Sequence, residues 1–174
     1  SGETAYLFLQ HFIKKLKAGG RAGIIIKNTF LSNFDAKLLR KELLNTCNLH
    51  TILNLPQKVF TAGVRTVVLF FEKGTKTKKI FYYDLNLDRN LGLTNPLNEE
   101  DLEKFVNLYT SKKESLNSWS KNINDLDKET WELTVKNPNI VEEIDERTPR
   151  EIMSEIEELD EQSVTIIKKI KDLL

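Results

Sequence analysis

Cysteine is almost missing from this 174-residue sequence: Cys47 stands alone, so no disulfide can form within the chain. Histidine is nearly as scarce, and His11 and His50 lie at no spacing that would ligate a metal. No apolar run approaches the roughly 20 residues that span a bilayer. The opening SGETAYLFLQHFIKK lacks the charged-then-apolar order of a signal peptide, so a cytoplasmic setting without membrane attachment is the expectation. The glycines are also informative in their placement. Neither G-x-G-x-x-G nor G-x-x-x-x-G-K-[ST] occurs, which excludes the two common phosphate-cradling turns. The only glycine doublet, Gly19-Gly20, follows a helical pattern and serves as its stop.

What is present is a soluble-type composition, 40% hydrophobic and 30% charged, sufficient for one core or part of a larger one. The formal net charge of zero conceals a division. Residues 1–84 carry 14 Lys and Arg against 5 Asp and Glu, whereas residues 85–174 carry 12 against 21. A basic half suits a polyanion, and an acidic half suits solvent, a basic partner or the basic half itself.

Ala5, Phe8, Leu9, Phe12, Ile13 and Leu16 recur at spacings of three and four, which predicts an amphipathic helix over residues 3–17. RAGIII at 21–26 is β-branched and apolar on both faces, as expected of a strand covered on both sides. After the loop KNTFLSNF comes a helix over 35–45 with Leu38, Leu39, Leu43 and Leu44 inward, and Cys47 at its end reads as a small semi-buried hydrophobe. Strands are expected at 49–55, 66–72 and 79–85, with KGTKTK between the last two of hairpin length. A helix is expected at 99–109, and WELTV at 131–135 has the pattern of a short strand. Thr148-Pro149-Arg150-Glu151 is a capping box with Pro at the first helical position. It opens a helix whose apolar stripe runs through Ile152, Ile156, Leu159, Ile166, Ile170 and Leu173. So narrow a stripe suits packing on another helix, in this chain or in a partner.

Alternating helices and strands predict an α/β fold, a doubly wound sheet, with a mainly helical C-terminal region. The expected segments are 1–85 in the sheet domain, 86–147 as connector and small α/β or irregular region, and 148–174 as the terminal helix. Ligands of open α/β sheets bind beyond the carboxyl ends of the strands, which makes 27–34 and 56–65 the candidate site loops. A helix comes before the first strand and no Gly-rich turn follows it, so the expectation is the second half of a doubly wound domain.

Three runs, FLQHFIKKLKAGGRAGIIIKNTFL, LRKELLNTCNLHTILNLPQKVFTAGVRTVVLFFEKG and KKIFYYDL, together with WELTVKNPN further on, resemble the modification subunit of type I restriction-modification systems, an adenine-specific DNA methyltransferase. The resemblance implies a Rossmann-like methyltransferase sheet, S-adenosylmethionine as cofactor of the full-length protein, and DNA as substrate. It also implies specificity and restriction subunits as partners, possible self-association, and assembly contacts from the C-terminal helix. In the family the cofactor is held by a Gly-rich motif after the first strand, and catalysis uses Asn-Pro-Pro-Tyr/Phe after the fourth. Neither is in this sequence: Asn95-Pro96 and Asn137-Pro138 lack the second proline and the aromatic residue. No catalytic residue is therefore assigned, and neither cofactor binding nor methyl transfer is expected of this stretch alone.

The resemblance implies instead the side of the site that receives the target base. Such enzymes flip the adenine out of the duplex because its amino group is inaccessible in the stack. By resemblance Phe60 supplies one stacking face for it. Lys27, Lys58 and Arg65 become candidate phosphate contacts, and Asn28, Thr29 and Phe30 candidate lining residues. Lys27 departs from the family, which usually has proline there. A non-catalytic module, its basic half on nucleic acid and its acidic half on a protein, remains the alternative reading.

Overall fold

The computed structural model describes residues 3–60, 63–140 and 147–171. They fall into two compact units, Ser1–Ile140 and Val141–Leu174. The first is built from α1 (Thr4–Lys15), β1 (Arg21–Lys27), α2 (Lys37–Thr46), β2 (Cys47–Asn54), β3 (Thr66–Lys73), β4 (Lys79–Asp84), α3 (Glu99–Ser111) and β5 (Ser118–Asn122). The second contains α4 (Pro149–Lys171).

The five strands form one mixed sheet in the order β1-β3-β2-β4-β5. β3 runs antiparallel to both β1 and β2, β2 is parallel to β4, and β5 closes the far edge antiparallel to β4. An α/β sheet is as expected, but the hairpin is not. Strands β3 and β4 do not pair, because β2 lies between them. The residues 74–78 cross under β2 instead of reversing beside β3. Buried Thr77 fixes the crossing: its hydroxyl donates to the Cys47 carbonyl at 2.8 Å and accepts the Leu49 N–H at 2.8 Å, while its own N–H donates to the Leu44 carbonyl. Hairpin length permits a hairpin without requiring one, and here the side-chain bonds of a single threonine, together with the interior place of β3, decide the topology.

Both faces of the sheet carry a core. On one, Ile52, Val67, Leu69, Ile80 and Tyr82 pack with Leu9 and Ile13 of α1, Leu43 and Leu44 of α2, and Trp119 of β5. On the other, Leu53, Phe81, Tyr83 and Leu85 pack with Phe105 of α3. Alternate residues of β2, β3 and β4 serve opposite cores, which is why these runs are apolar throughout. Ile25 is 52% exposed and Ile26 is the one buried residue of β1, so the expected cover on both faces of RAGIII is not present among the described residues. α1 ends at Lys15 with an extended Leu16 as its C-cap, so the glycines are not its stop; Gly19-Gly20 forms the turn that leads on to β1. Gly19 takes φ +74°, in the left-handed region, and the pair exchanges backbone hydrogen bonds with Lys73 that align β1 with β3.

Several local assignments shift. Cys47 caps the end of α2, as expected, and is also the first residue of β2, where it is fully buried, not semi-buried. In α2 the buried stripe is Arg40, Leu43 and Leu44, continued by the N-cap Ala36, and Leu38 is 76% exposed. β5 was not foreseen, because SWSKN is too polar to stand out as a strand. The α3 N-terminus has a capping box between Asn98 and Asp101, whose carboxyl the Asn98 N–H and the Arg89 guanidinium hold below the ordinary carboxylate range. The 131–135 segment forms no strand, yet its Leu133 is fully buried.

α4 starts as its capping box dictates: the Thr148 N–H donates to the Glu151 carboxylate at 2.6 Å and the Glu151 N–H to the Thr148 hydroxyl at 3.3 Å. None of its described side chains is buried, and Ile156, Leu159, Ile166 and Ile170 are each half exposed or more. Leu173 lies outside the described residues.

Candidate functional site

The carboxyl ends of β1, β2 and β4 end at one level, where three backbone bonds tie them to the start of β3 and to each other. The Asn28 N–H donates to the Arg65 carbonyl, the Leu55 N–H to the Thr66 carbonyl and the Leu85 N–H to the Asn54 carbonyl, at 3.0–3.1 Å. Above this level opens a cavity of about 670 Å³. Its apolar floor comes from Leu31, Val67, Tyr82 and Leu133. Its rim is polar and comes from Asn28, Thr29, Ser32, Gln57, Arg65 and Asn86. Asn54 and Asp84, paired across β2 and β4, meet in its wall with the Asn54 amide donating to the Asp84 carboxylate at 2.6 Å. Thr66 also lines it, and the Thr66 hydroxyl is buried without a partner among the described residues. A cavity with apolar depth and a hydrogen-bonding mouth suits a planar, partly polar ligand.

Arg40 holds two sides of this cavity in place. It is buried, with its guanidinium donating to four backbone carbonyls: Nη1 to Phe30 and Asn33, each at 2.7 Å, Nε to Trp131 at 2.7 Å, and Nη2 to Thr130 at 2.9 Å. Burial lowers its pKa from the ordinary value, partly opposed by Glu132 and Tyr6. Two chain segments about 100 residues apart thereby meet on one side chain. The Leu133 N–H adds a bond to the Leu31 carbonyl at 2.8 Å, and the Tyr82 hydroxyl donates to the Leu133 carbonyl at 3.1 Å. Trp131 takes φ +53°, a left-handed conformation costing roughly 1–2 kcal/mol, which the Arg40 bond to its carbonyl helps offset.

The structure gathers some of the sequence candidates and separates others. Asn28, Thr29 and Arg65 line the cavity together. Phe30 does not: its ring is fully buried against Tyr6, edge to face at 5.7 Å between centroids, so a lining role for its side chain is corrected to a core role. The exposed aromatic of that loop is Phe34, at 79%. Lys27 points away from the lining and pairs with Glu3 at 3.2 Å. Lys58 is exposed in the loop after β2, with φ +64°. Phe60 follows it at the edge of the described residues, 41% exposed and outside the cavity wall. Asn54 and Asp84 were missed although a signal existed, since each is the polar residue that ends an apolar run, TILN and FYYD. Among the described residues no group of His, Cys, Asp and Glu could hold a metal, and no helix is long and apolar enough to cross a membrane.

The sequence profile described as N-6 DNA Methylase matches residues 1–147. The chain belongs to the N-6 DNA methylase family. Within it, this methylase-family chain is 30% identical over 185 residues to the type I restriction enzyme EcoEI methylase subunit of Escherichia coli, covering 99% of this chain and 38% of that protein. A solved structure described as a modification subunit of a type I restriction enzyme from Vibrio vulnificus YJ016 superposes with a TM-score of 0.73 at 29% identity, over 80% of this chain and 33% of that one. Another, from work on complex assembly and conformational transition of the type I restriction-modification system, gives a TM-score of 0.73 at 29% identity over 100% of this chain and 40% of its own. The chain spans less than half the length of each of these proteins.

Methylase-family membership carries S-adenosylmethionine with it, and the residues present do not complete a site for that molecule. Among the described residues no glycine lines the cavity, so they offer no backbone cradle that a Cβ would fill. The one carboxylate that these residues bring to its lining, that of Asp84, is already engaged by Asn54.

Proposed function

We propose that this chain is the target-side part of a type I DNA methyltransferase subunit that methylates adenine at N6, and that it transfers no methyl group by itself. One observation carries the reading. In a member of the N-6 DNA methylase family, the cavity with the polar mouth lies beyond the carboxyl ends of the strands, flanked by the loop that leads from β2 to Phe60. S-adenosylmethionine and the catalytic Asn-Pro-Pro-aromatic motif belong, in this reading, to the rest of the parent protein. The exposed face of Ile25 and the unpaired side of β1 are the surface on which that remainder continues the sheet. DNA is the substrate, and Phe60 stacks on the flipped adenine while Arg65 meets a neighbouring phosphate.

The unburied stripe of α4 supports an assembly role, docking on a helix of a specificity or restriction subunit or of a second copy. The direct experiment measures DNA affinity of the parent protein against salt concentration. Arg65→Ala is expected to weaken binding several-fold for all sequences and to reduce the slope of log affinity against log salt by about one. An unchanged slope removes Arg65 from the phosphate contacts.

A further inference from the structure

A second cavity, of about 500 Å³, lies at the opposite ends of the same strands. Asn48 and His50 at the start of β2 face it, whereas Asn54 of the first cavity is six residues further along, roughly 20 Å at the rise of a strand. Phe81 lines the second cavity and Tyr82 the first. Successive strand residues point to opposite faces, so these two contributions come from opposite sides of the sheet. The methyltransferase reading uses nothing in this second cavity.

Its charged lining is of one sign. Lys76, Lys78, Lys79 and Lys112 face it beside His50, and among the described residues no carboxylate does. The three lysines from the β3–β4 connection and β4 are exposed at the rim, and Lys112 is the half-buried one. Its ammonium lies 3.8 Å from the Tyr109 ring centroid and 5.3 Å from that of Phe81, and it donates to the Thr51 hydroxyl at 2.5 Å. No described carboxylate is within ion-pairing distance of it. Burial pushes its pKa down to about 8.

Lys112 is also costly for the backbone. It is the C-cap of α3 with φ +53°, where glycine is the usual residue. The α3 macrodipole favours a cation there by roughly 0.3–1 kcal/mol, which does not remove both penalties. Glycine would suit the backbone, and an apolar side chain would suit the burial. A lysine meets neither demand, and what it adds is a fixed, partly desolvated positive charge over a hydrogen-bonding wall of Asn48 and Ser120. A compact ammonium with three donors is a point-charge ligand for phosphate oxygens.

We propose that this cavity is a phosphoryl site, with Lys112 as its innermost contact and Lys76, Lys78 and Lys79 as the rim that gathers the anion. The phosphoryl group belongs either to a nucleic-acid backbone or to a free phosphate compound, and the test separates the two. Inorganic pyrophosphate and a short DNA duplex are titrated separately into the protein, observing the His50 ring and Lys112 side-chain resonances by NMR and duplex binding by fluorescence anisotropy.

Pyrophosphate is expected to shift both sets of resonances saturably, and Lys112→Met to weaken its binding at least tenfold while raising the thermal midpoint, since a desolvated charge is lost. Lys79→Gln, at an exposed position, should weaken binding about two- to threefold with folding untouched. Arg65→Ala should leave pyrophosphate binding unchanged, so failure of the methyltransferase reading and failure of this site are distinguishable. A tenfold loss of duplex affinity in Lys112→Met identifies the backbone as the source, and unchanged duplex affinity with tight pyrophosphate binding identifies a free phosphate compound. Resonances that fail to shift with either probe, or that shift equally with sodium chloride at the same ionic strength, overturn the proposal.

Discussion

Arg40→Met is expected to destabilise the 174-residue chain by about 3–5 kcal/mol, read as a lowered urea midpoint. Methionine keeps much of the length and apolar stem but none of the donors. Four carbonyls, those of Phe30, Asn33, Thr130 and Trp131, then lose their partner at once. Only part of each loss is recoverable, because water reaching these groups must displace packed side chains. Removing the charge returns the desolvation energy that lowers the Arg40 pKa, which keeps the estimate below the sum of four orphaned acceptors. Arg40→Lys should fall between: the charge remains, but one ammonium cannot reproduce a planar fork aimed at two segments. The damage should also appear locally, as faster amide exchange at Leu133, whose N–H bonds the loop Arg40 holds. A loss below about 1 kcal/mol would show that these carbonyls find other partners, and Arg40 would lose its role as the clamp of the cavity.

The second large effect is functional. In the proposed parent methyltransferase, Phe60→Ala is expected to lower kcat/KM for DNA about 5- to 150-fold, the range that corresponds to the roughly 1–3 kcal/mol of one base–aromatic stack. Phe60→Trp should retain most activity, since it keeps a π-face, and folding stability should change little because the ring is 41% exposed. The pair of variants separates stacking from packing. A residue that merely plugged the core edge would lose stability in Phe60→Ala and gain nothing from tryptophan. Full activity in Phe60→Ala would transfer attention to Phe34, the more exposed aromatic at the same end of the sheet, with the Lys37 ammonium 5.8 Å from its ring centroid.

The strands were legible because β2, β3 and β4 serve two cores and therefore carry unbroken apolar runs. Their order was not, since it depends on where Thr77 anchors a five-residue crossing, and a hydroxyl in KGTKTK gives no sign of being buried. α2 shows a related limit. Its leucines suggested a face containing Leu38, yet the spacing Ala36, Arg40, Leu43 and Leu44 is equally helical, and only the distant carbonyls of Thr130 and Trp131 explain why an arginine can be buried there. The strand SWSKN was hidden because Trp119 is its one large apolar residue, stacked on Tyr82 at 5.5 Å with 8° between the rings. At the site, the rule that ligands bind beyond the carboxyl ends of strands pointed to 27–34 and 56–65, and residues of both loops line the cavity. It assigned Phe30 wrongly because whether a loop aromatic points in or out is decided by its neighbour Tyr6 on α1. It passed over Asn54 and Asp84 because their pairing depends on the parallel register of β2 and β4.

The central claim is that the loop after β2 receives the target nucleotide. It is tested most directly by replacing the target adenine in a duplex with 5-iodouracil, irradiating its complex with the parent methyltransferase and mapping the crosslinked peptides of this chain. The account predicts crosslinks to the Leu55–Arg65 peptide, at Phe60, lost in Phe60→Ala. Crosslinks confined to peptides remote from the carboxyl ends of β1, β2 and β4 would contradict it.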